Sequence, residues 1–442
     1  MSFLKMKLVW IGAAAAVVVL LIFGLAMMGS VIGAKPKALP VALAVLDQPV
    51  ALPAEAGGEQ LALGQAVQQQ VTGLAQLPVR WEVVGTEEEA LAMMNRQEVY
   101  GALTLPADFT AGALSLQSAE PKPATVKLYV NEGMSAQGVA AVRSILQQVS
   151  KQIAAGLSAQ ALEQIGQHAQ QLPIGAARAL LAPVQTQEIV VHAVGENNGG
   201  GSAPNMLTQI AWMGSLVLSI FFFLAARGVR GRKSGAEGAG AGRDGYVERS
   251  SLASVSAGSS GSRGIARGHD GRSRWLIAAS QTVVGLVLTC GVSGLLVWMA
   301  AGWYGMEIAD PAAVWLFLWL ASSAFFLLQS SLLNWIGMPA IALLVLLLFF
   351  SLPVVNLAPE FMPQVTQDWL YSWTPFRYVA SGLRSLMYFG GGSSHVMTLS
   401  YSVLWWIAGV GVVVLLASGW RKERAPEAAA ADGAGAVKSV RS

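Results

Sequence analysis

The 442-residue sequence has few charged residues. Asp, Glu, Lys and Arg make up 12% of the chain, whereas they make up about 25% of an ordinary soluble domain. Apolar residues account for 54% of the positions. This composition predicts a membrane protein. The net charge of +3 at pH 7 gives no reason to expect a nucleic-acid partner.

Cysteine and histidine are also scarce. Cys290 is the single cysteine and lies in an apolar run, which excludes an internal disulfide framework and a cysteine-rich metal site. The histidines are scattered, with no H-x-x-x-H spacing and no cluster of carboxylates beside them: His168, His192, His269 and His395. We therefore expect no metal and no cofactor. No nucleophile–base pair supports an enzymatic activity within the chain.

Long apolar segments are what the sequence has instead. A span takes about 20 mostly apolar residues, and each span must be helical because lipid cannot satisfy exposed backbone groups. Six segments qualify: Leu8–Ala34, Leu207–Ala226, Trp275–Trp303, Pro311–Trp335, Pro339–Leu357 and Leu399–Trp420. The first could be a cleaved signal peptide, but its apolar run exceeds the core of about 7–15 residues typical of such peptides. We interpret it as an uncleaved anchor.

The placement of Lys and Arg predicts the orientation. The basic-rich segments are residues 1–7, Arg227–Arg274 and the tail that begins at Arg421. All of them fall on the cytoplasmic side if six spans leave both termini in the cytoplasm. The segment Lys35–Asn205, with nine basic and fourteen acidic residues, then lies outside the cytoplasm. We predict a multi-pass α-helical protein of the cell membrane with one span, an extracytoplasmic α/β domain and five further spans.

The predicted domains follow from these boundaries. They are a stub and first span at 1–34, the extracytoplasmic domain at 35–205, the second span at 206–226, a basic cytoplasmic loop at 227–274, a four-span bundle at 275–420 and a cytoplasmic tail at 421–442.

The loop Arg227–Arg274 is rich in glycine and contains a Lys233–Ser234 pair, as phosphate-binding loops do. Such a loop needs Gly before the Lys and a strand before the loop. Here Arg232 precedes Lys233, and a predicted membrane helix precedes the loop. We interpret the segment as a flexible basic loop near anionic headgroups. If the protein uses ATP, a partner must supply the ATPase.

Alternating periodicities predict the extracytoplasmic domain. Strands are predicted at Leu39–Asp47, Val79–Val84, Tyr100–Phe109 (ending in a Pro-Ala-Asp turn) and Ala124–Gly133, and helices at Glu59–Leu77, after Thr86, and from Ser135 to about Gln171 with a break near Gly156. This order predicts a mixed sheet with helices over it. Asp47, Asp108 and Glu132 each follow a strand, and we expect turn residues there. Asn197–Asn205 is predicted to be a flexible tether.

The predicted spans contain no Asp, Glu, Lys or Arg in their interiors. Ion-coupled transporters usually keep an ionisable residue at membrane depth. Polar residues recur instead along the fourth span, where Ser323, Ser330 and Asn334 fall near one helical face. Two hypotheses remain open for them. They form hydrogen bonds between helices, or they line a weakly polar pathway.

One more helix is predicted at 374–389, between the last two spans. Thr374 suits the N-cap, Pro375 suits the first helical position, and a run of glycines ends the helix. Arg377 and Arg384 fall on one face together with Ser381. We predict a re-entrant or interfacial amphipathic helix on the outer side. It either plugs the bundle or closes the outer mouth of an exit path, with both arginines at anionic headgroups.

Taken together, these features resemble the YhgE/Pip-type branch of the type-2 ABC export permeases. The resemblance rests on the basic-anchored first span, the VALAVLD strand (Val41–Asp47), the VYGALTLPADF segment (Val99–Phe109), five clustered C-terminal spans and a helix running from Pro375 to Arg384. It implies a homodimer, or a heterodimer with a similar permease. It also implies a separate cytoplasmic ATPase subunit that drives export of an amphiphilic, lipid-linked, peptide or drug-like molecule.

Two other classes of protein fit parts of the pattern. A half-sized resistance-nodulation-division transporter shares the order of spans, but such pumps resemble proton-coupled machines with acids in the fourth span, where Pro311–Trp335 has none. A non-transporting membrane protein, similar to a phage receptor or a component of a secretion complex, would use the extracytoplasmic domain and keep the bundle as an anchor.

Overall fold

The computed structural model describes residues 36–51, 60–74, 76–116, 121–168, 179–241, 262–391 and 395–420. The predicted first span and the cytoplasmic tail lie outside these residues. The chain divides into two compact units. The first comprises Met1–Ala211, Ser293–Ala321 and Val345–Leu404, and the second comprises Trp212–Val292, Ser322–Leu344 and Trp405–Ser442.

A mixed sheet forms the centre of the first unit. Its strands, in chain order, are β1 (Leu39–Val45), β2 (Val50–Ala51), β3 (Gln60–Leu61), β4 (Val79–Val84), β5 (Gly101–Leu105), β6 (Ala124–Asn131) and β7 (Val184–Val191). Strands β2 and β3 form a separate antiparallel pair. The other five have the order β4-β1-β5-β6-β7, in which only β5 and β6 pair antiparallel. The predicted mixed sheet is confirmed.

Four helices pack on the sheet: α1 (Leu63–Thr72), α2 (Glu87–Asn95), α3 (Phe109–Ser115) and α4 (Ala136–His168). The buried residues of α1, α3 and α4 join one core cluster with β1, β5 and β6. Helix α2 joins a second cluster with the alternate residues of the same strands. This alternation follows from the two-residue period of a strand. The predicted N-cap is confirmed, because Thr86 Oγ1 accepts a hydrogen bond from Glu89 N–H at 3.1 Å.

The sheet domain differs from the sequence prediction at the short β2–β3 pair, which was not predicted, and at three other elements. Helix α3 follows the Pro-Ala-Asp turn directly and was not predicted. Strand β7 was not predicted either, because four consecutive exposed residues hide its alternation. Helix α4 runs through Gly156 without a break. A Cβ atom at Gly156 would meet no atom within 4 Å, so nothing around this glycine forces the helix apart.

Two of the three acids that follow strands, Asp47 and Glu132, have structural roles in this domain. Asp47 accepts hydrogen bonds from the backbone N–H of Gly64 at 2.7 Å and of Thr110 at 2.8 Å, and so joins β1 to α1 and α3. Glu132 forms an ion pair with Arg143 of α4 at 2.7 Å. Asp108 makes no side-chain cap hydrogen bond to α3.

The segment Asn197–Asn205 is a folded turn, and the prediction of a flexible tether is wrong. The Asn198 side chain is buried and donates to the backbone O of Val194 and, at 3.1 Å, of Glu307. Gly199–Gly201 form a turn of 3-10 helix with positive φ angles of 57°, 60° and 88°. Glycine adopts such angles without the strain that a Cβ atom would cause. The next helix begins directly afterwards, at Ala203.

In the part of the chain that the structure describes, six further helices of at least 14 residues follow: α5 (Ala203–Ala241), α6 (Ser262–Trp298), α7 (Pro311–Ile336), α8 (Pro339–Asn356), α9 (Pro375–Tyr388) and α10 (His395–Ala417). Among the described residues, four helical segments are long and apolar enough to cross a membrane: Ala203–Gly228, Trp275–Trp303, Pro311–Ile336 and His395–Trp420. The chain is therefore mostly helical outside the sheet domain, and these segments match four of the six predicted spans.

Helix α8 covers most of the predicted fifth span but is shorter than the other apolar helices. Its apolar part is Pro339–Pro353, and the helix of 18 residues is about 27 Å long at about 1.5 Å per residue. The hydrocarbon core of a bilayer is about 30 Å thick. The helix begins among residues of the second unit and ends among residues of the first.

The backbone of the predicted flexible loop is helical at both ends. Helix α5 continues to Ala241 and α6 begins at Ser262, so the loop prediction for Arg227–Arg274 is wrong over those residues. Both of these helical ends are rich in glycine, a poor helix former, which is why the sequence predicts a loop there.

We predict that Asp47→Ala lowers the free energy of unfolding of the sheet domain by about 1–3 kcal/mol, because two half-buried N–H groups lose their acceptor. Thermal unfolding of the purified chain in detergent measures the change. Asp108→Ala is the matched control and should leave the midpoint almost unchanged. Equal midpoints for the two variants would contradict the structural role of Asp47.

Candidate functional site

Helix α9 is attached to the sheet domain along its C-terminal half. Gln97 Nε2 donates to Ser385 Oγ at 3.3 Å, and His192 Nδ1 lies 3.1 Å from the backbone O of Tyr388. Phe389 stacks against the His192 ring with centroids 4.3 Å apart. The cap residues Thr374 and Pro375 begin α9 and glycines follow it, so the helix itself forms where the sequence predicts it.

Helix α9 also contacts the apolar helices α7 and α8. A Cβ atom at Gly382 would stand 2.2 Å from the ring of Phe317 in α7, so the two helices approach at a position where only glycine fits. Thr374, the N-cap of α9, is buried and shares a 2.9 Å hydrogen bond with Ser351 of α8. Helix α9 therefore joins the sheet domain to the ends of α7 and α8 within the first unit.

The connection between α8 and α9 also enters the sheet domain. Ala358 is fully buried in the core cluster of the sheet. The backbone O of Glu360 accepts from Lys37 N–H at 3.1 Å, and its carboxylate accepts from Tyr100 Oη–H at 2.9 Å. Burial raises the pKa of the Tyr100 phenol well above its ordinary value, and the Glu360 carboxylate adds to the shift. Tyr100 is therefore a neutral donor.

A cavity of about 200 Å³ lies where these parts of the first unit meet. Its apolar lining comes from the end of α8, from α9 and from Val396 of α10. The polar side chains that line it come from separate stretches of the chain: Gln97, Tyr100, Ser135, Glu360, Tyr371, Arg377, Ser381 and Arg384. This cavity is the candidate functional site.

Arg384 has little to neutralise its charge. Its Nη2 donates to Asn205 Oδ1 at a long 3.4 Å, and its Nε is buried without a hydrogen-bond partner among the described residues. Asn205 is itself held at the start of α5 by its Nδ2, which donates to the backbone O of Val355 at 3.0 Å. The guanidinium therefore contacts a neutral amide, whereas a buried arginine is usually paired with a carboxylate.

Arg377 is fixed by aromatic rings. Its guanidinium carbon lies 4.6 Å from the ring centroid of Tyr371 and 4.4 Å from that of Tyr378, within the range of cation–π attraction. Its Nη2 also donates to Tyr378 Oη at 3.0 Å, which in turn donates to the backbone O of Ser372 at 2.9 Å. These contacts restrain the guanidinium while leaving further N–H groups available.

The structure brings Arg377, Ser381 and Arg384 to one cavity, as their shared helical face predicts. Three other residues that line the cavity were not predicted from the sequence: Gln97, Tyr100 and Glu360. Gln97 and Tyr100 are far from α9 along the chain, and the sequence pattern marks Tyr100 only as the start of a predicted strand. Pro359 and Pro363 predict a turn around Glu360, but they do not indicate which part of the protein that turn contacts.

The second unit contains a seam of hydrogen bonds between helices. Ser215 and Ser219 of α5 donate to the backbone O of Ser322 and Phe326 of α7, at 3.0 and 3.3 Å. In the reverse direction, Gln329 of α7 donates to the backbone O of Trp212 at 3.3 Å. On another side of α7, Ser331 donates to the backbone O of Gly411 in α10 at 2.9 Å.

The three polar residues predicted for the fourth span belong to this seam. Ser323 shares a 2.9 Å hydrogen bond with Thr289 of α6. Ser330 donates to Ser219 at 3.2 Å, and Asn334 approaches Gln281 of α6 at 3.4 Å. These contacts favour the hypothesis of hydrogen bonds between helices over that of a pathway lining.

Comparison with known proteins identifies the family. The family model described as ABC-2 family transporter protein matches residues 8–233, just over half of the chain. The chain belongs to the ABC-2 transporter family. No curated protein and no solved structure matches it. The ABC-2 match extends from the predicted first span, through the sheet domain, to the basic end of α5.

Membership of the ABC-2 family gives the chain a coarse function. It is a membrane protein of the permease type, and ABC-2 permeases generally work with a cytoplasmic ATPase subunit. The four apolar segments that are long enough to cross a membrane agree with this membership.

We expect Gly382→Ala to destabilise the chain by about 1–3 kcal/mol, the usual cost of overpacking, because the new methyl group would overlap Phe317. The midpoint of thermal unfolding in detergent reports the loss. Gly409→Ala in α10 is the control, since a Cβ atom there meets nothing within 4 Å. An unchanged midpoint for Gly382→Ala would show that α7 and α9 are not in close contact.

Gln329→Leu tests the seam in the second unit. Interhelical hydrogen bonds in membranes contribute roughly 0.6 kcal/mol to stability on average and about 1.7 kcal/mol at most. Leucine has a side chain of similar volume to glutamine, so the substitution removes the hydrogen bonds without leaving a large cavity. We expect a stability loss in this range by thermal unfolding. Ser402→Ala, which removes a bond within α10 only, should have little effect. A loss of activity without a loss of stability would instead favour the pathway hypothesis.

Proposed function

We propose that the chain is the permease subunit of an ABC exporter of the YhgE/Pip type, driven by a separate cytoplasmic ATPase. The observation that carries this proposal is the ABC-2 family match together with spans whose interiors lack Asp, Glu, Lys and Arg. A permease without charged groups at membrane depth has no site for a coupling ion. The basic segment Arg227–Arg274 has no phosphate-binding loop motif, so a partner must supply the energy.

The proposed topology has six spans and an extracytoplasmic sheet domain. The unequal distribution of Lys and Arg supports this orientation. Helix α8 is the fifth span in this proposal, although its 18 residues give about 27 Å, slightly less than the hydrocarbon core of about 30 Å. In this topology both termini are cytoplasmic, and the sheet domain and α9 share the outer side.

We propose that α9 closes the outer end of the export path. It carries Arg377 and Arg384, whereas the spans carry no charge. A path with apolar walls and a basic outer end suits an amphiphilic substrate, such as a lipid-linked, peptide or drug-like molecule. Ser323, Ser330 and Asn334 then support the bundle rather than contact the substrate. A homodimer, or a heterodimer with a similar permease, completes the proposed transporter.

The alternative proposal is a non-transporting surface or accessory protein, in which the bundle is only an anchor. An anchor would not need the sheet domain and the apolar helices to share α9. The contacts of α9 with both therefore favour the permease.

Copurification tests the permease proposal. The tagged chain is purified from native membranes in detergent, and ATP hydrolysis is measured with and without the proteins that copurify. We expect an ATPase subunit to accompany the chain, and hydrolysis to disappear when the chain is purified alone. A catalytically inactive ATPase variant is the control. ATP hydrolysis by the pure chain would contradict the proposal, and a complete absence of ATPase would favour the accessory role.

Cysteine labelling tests the topology around α8. Single cysteines are introduced by Gln185→Cys in β7, Met338→Cys before α8 and Gln364→Cys after it, in a Cys290→Ser background. A membrane-impermeant maleimide added to intact cells should label positions 185 and 364 but not position 338. Labelling of 338 and 364 from the same side would show that α8 does not cross the membrane.

A further inference from the structure

The cavity at α9 contains more positive than negative charge. Arg377 and Arg384 line it together with one carboxylate, that of Glu360. Glu360 accepts the hydrogen bond of Tyr100, and neither arginine forms an ion pair with a carboxylate among the described residues. Burying a cation without a counter-charge is costly. The site is therefore complementary to an anion.

The donors are arranged for a group with several acceptor oxygens. Arg377 lies against the rings of Tyr371 and Tyr378, and Arg384 has a buried Nε without a partner among the described residues. Guanidinium groups recognise phosphate and carboxylate by pairs of parallel hydrogen bonds. Two of them at one cavity suit the tetrahedral oxygens of a phosphate better than the two coplanar oxygens of a carboxylate.

The size of the cavity limits what can enter it. About 200 Å³ is less than the about 300–1,000 Å³ of pockets that enclose a drug-sized ligand. A small polar headgroup fits, whereas the apolar remainder of an amphiphile must stay outside. The apolar lining from Val355, Leu357 and Val396 suits the first carbon atoms next to such a headgroup.

We propose that this cavity binds the phosphate group of an amphiphile, with Arg384 and Arg377 as its two hydrogen-bonding cations. The inference rests on the proposed placement of α9 at the outer membrane interface, and it names the headgroup chemistry that the outer end of the export path recognises. Binding does not require the ATPase. A failure to find an ATPase partner would therefore leave this inference standing.

Titration of the purified full-length chain in an uncharged detergent tests the proposal. The probes are a short-chain phosphatidylglycerol, the diacylglycerol with the same chains but no phosphate, and inorganic phosphate. We expect phosphatidylglycerol to bind and to raise the unfolding midpoint, and diacylglycerol to do neither. Inorganic phosphate binding as tightly as the lipid would support the phosphate site and assign it to a soluble ligand. Equal binding of diacylglycerol would overturn the proposal.

Three variants locate the binding. Arg384→Met and Arg377→Gln should each weaken phosphatidylglycerol binding by about tenfold to a hundredfold, the usual effect of losing a hydrogen bond to a charged group. Arg80→Gln is the control, because it removes the same charge from an exposed position of β4. Binding that is unchanged in both cavity variants would overturn the proposal.

The unfolding midpoint without ligand separates binding from a structural role. Removing a buried cation that lacks a carboxylate partner should not destabilise the chain. We therefore expect Arg384→Met to keep or raise the midpoint while losing the lipid-induced shift. A lower midpoint with unchanged lipid binding would show that Arg384 serves the fold and not a ligand.

Discussion

The fit of α9 between two different surfaces is the constraint on which the rest of the first unit depends. Gly382 lets Phe317 of α7 approach to a distance that no other residue allows. Ser385 and Tyr388 of the same helix meet side chains of the sheet domain. Because both contacts involve one short rigid helix, a displacement of either surface must be transmitted to the cavity that α9 lines.

The low dielectric of a bilayer explains how polar residues are distributed in this ABC-2 protein. Polar groups in lipid must find partners within the protein, and those of α7 find them in α5, α6 and α10 through uncharged hydrogen bonds. Asp, Glu, Lys and Arg lie instead in the sheet domain, in the basic segment Arg227–Arg274, in α9, in the terminal segments and in the connections that precede α7 and α9. The proposed division of labour follows, since an uncharged bundle can change its packing but cannot energise itself.

Periodic features were predictable from the sequence. The buried strand β1, the cap at Thr86 and the arginine face of α9 each follow from a local pattern. Strand β7 escaped prediction because an edge strand needs no apolar alternation, and the turn at Asn198 because its fixing contact is Glu307, over a hundred residues away. For the same reason, only some of the residues that line the cavity could be predicted from the sequence. Its arginines share a helix, whereas Tyr100 and Glu360 meet them only through tertiary folding.

Native-state hydrogen exchange across α9 tests most directly whether this helix joins the two surfaces. We predict that the amides of Val379–Tyr388 are protected to a similar degree as those of the central strands β5 and β6, since all of them would open together. Rapid exchange throughout α9 while β5 and β6 stay protected would contradict it. The helix would then be a loosely attached surface element, and the cavity would not be a preformed site.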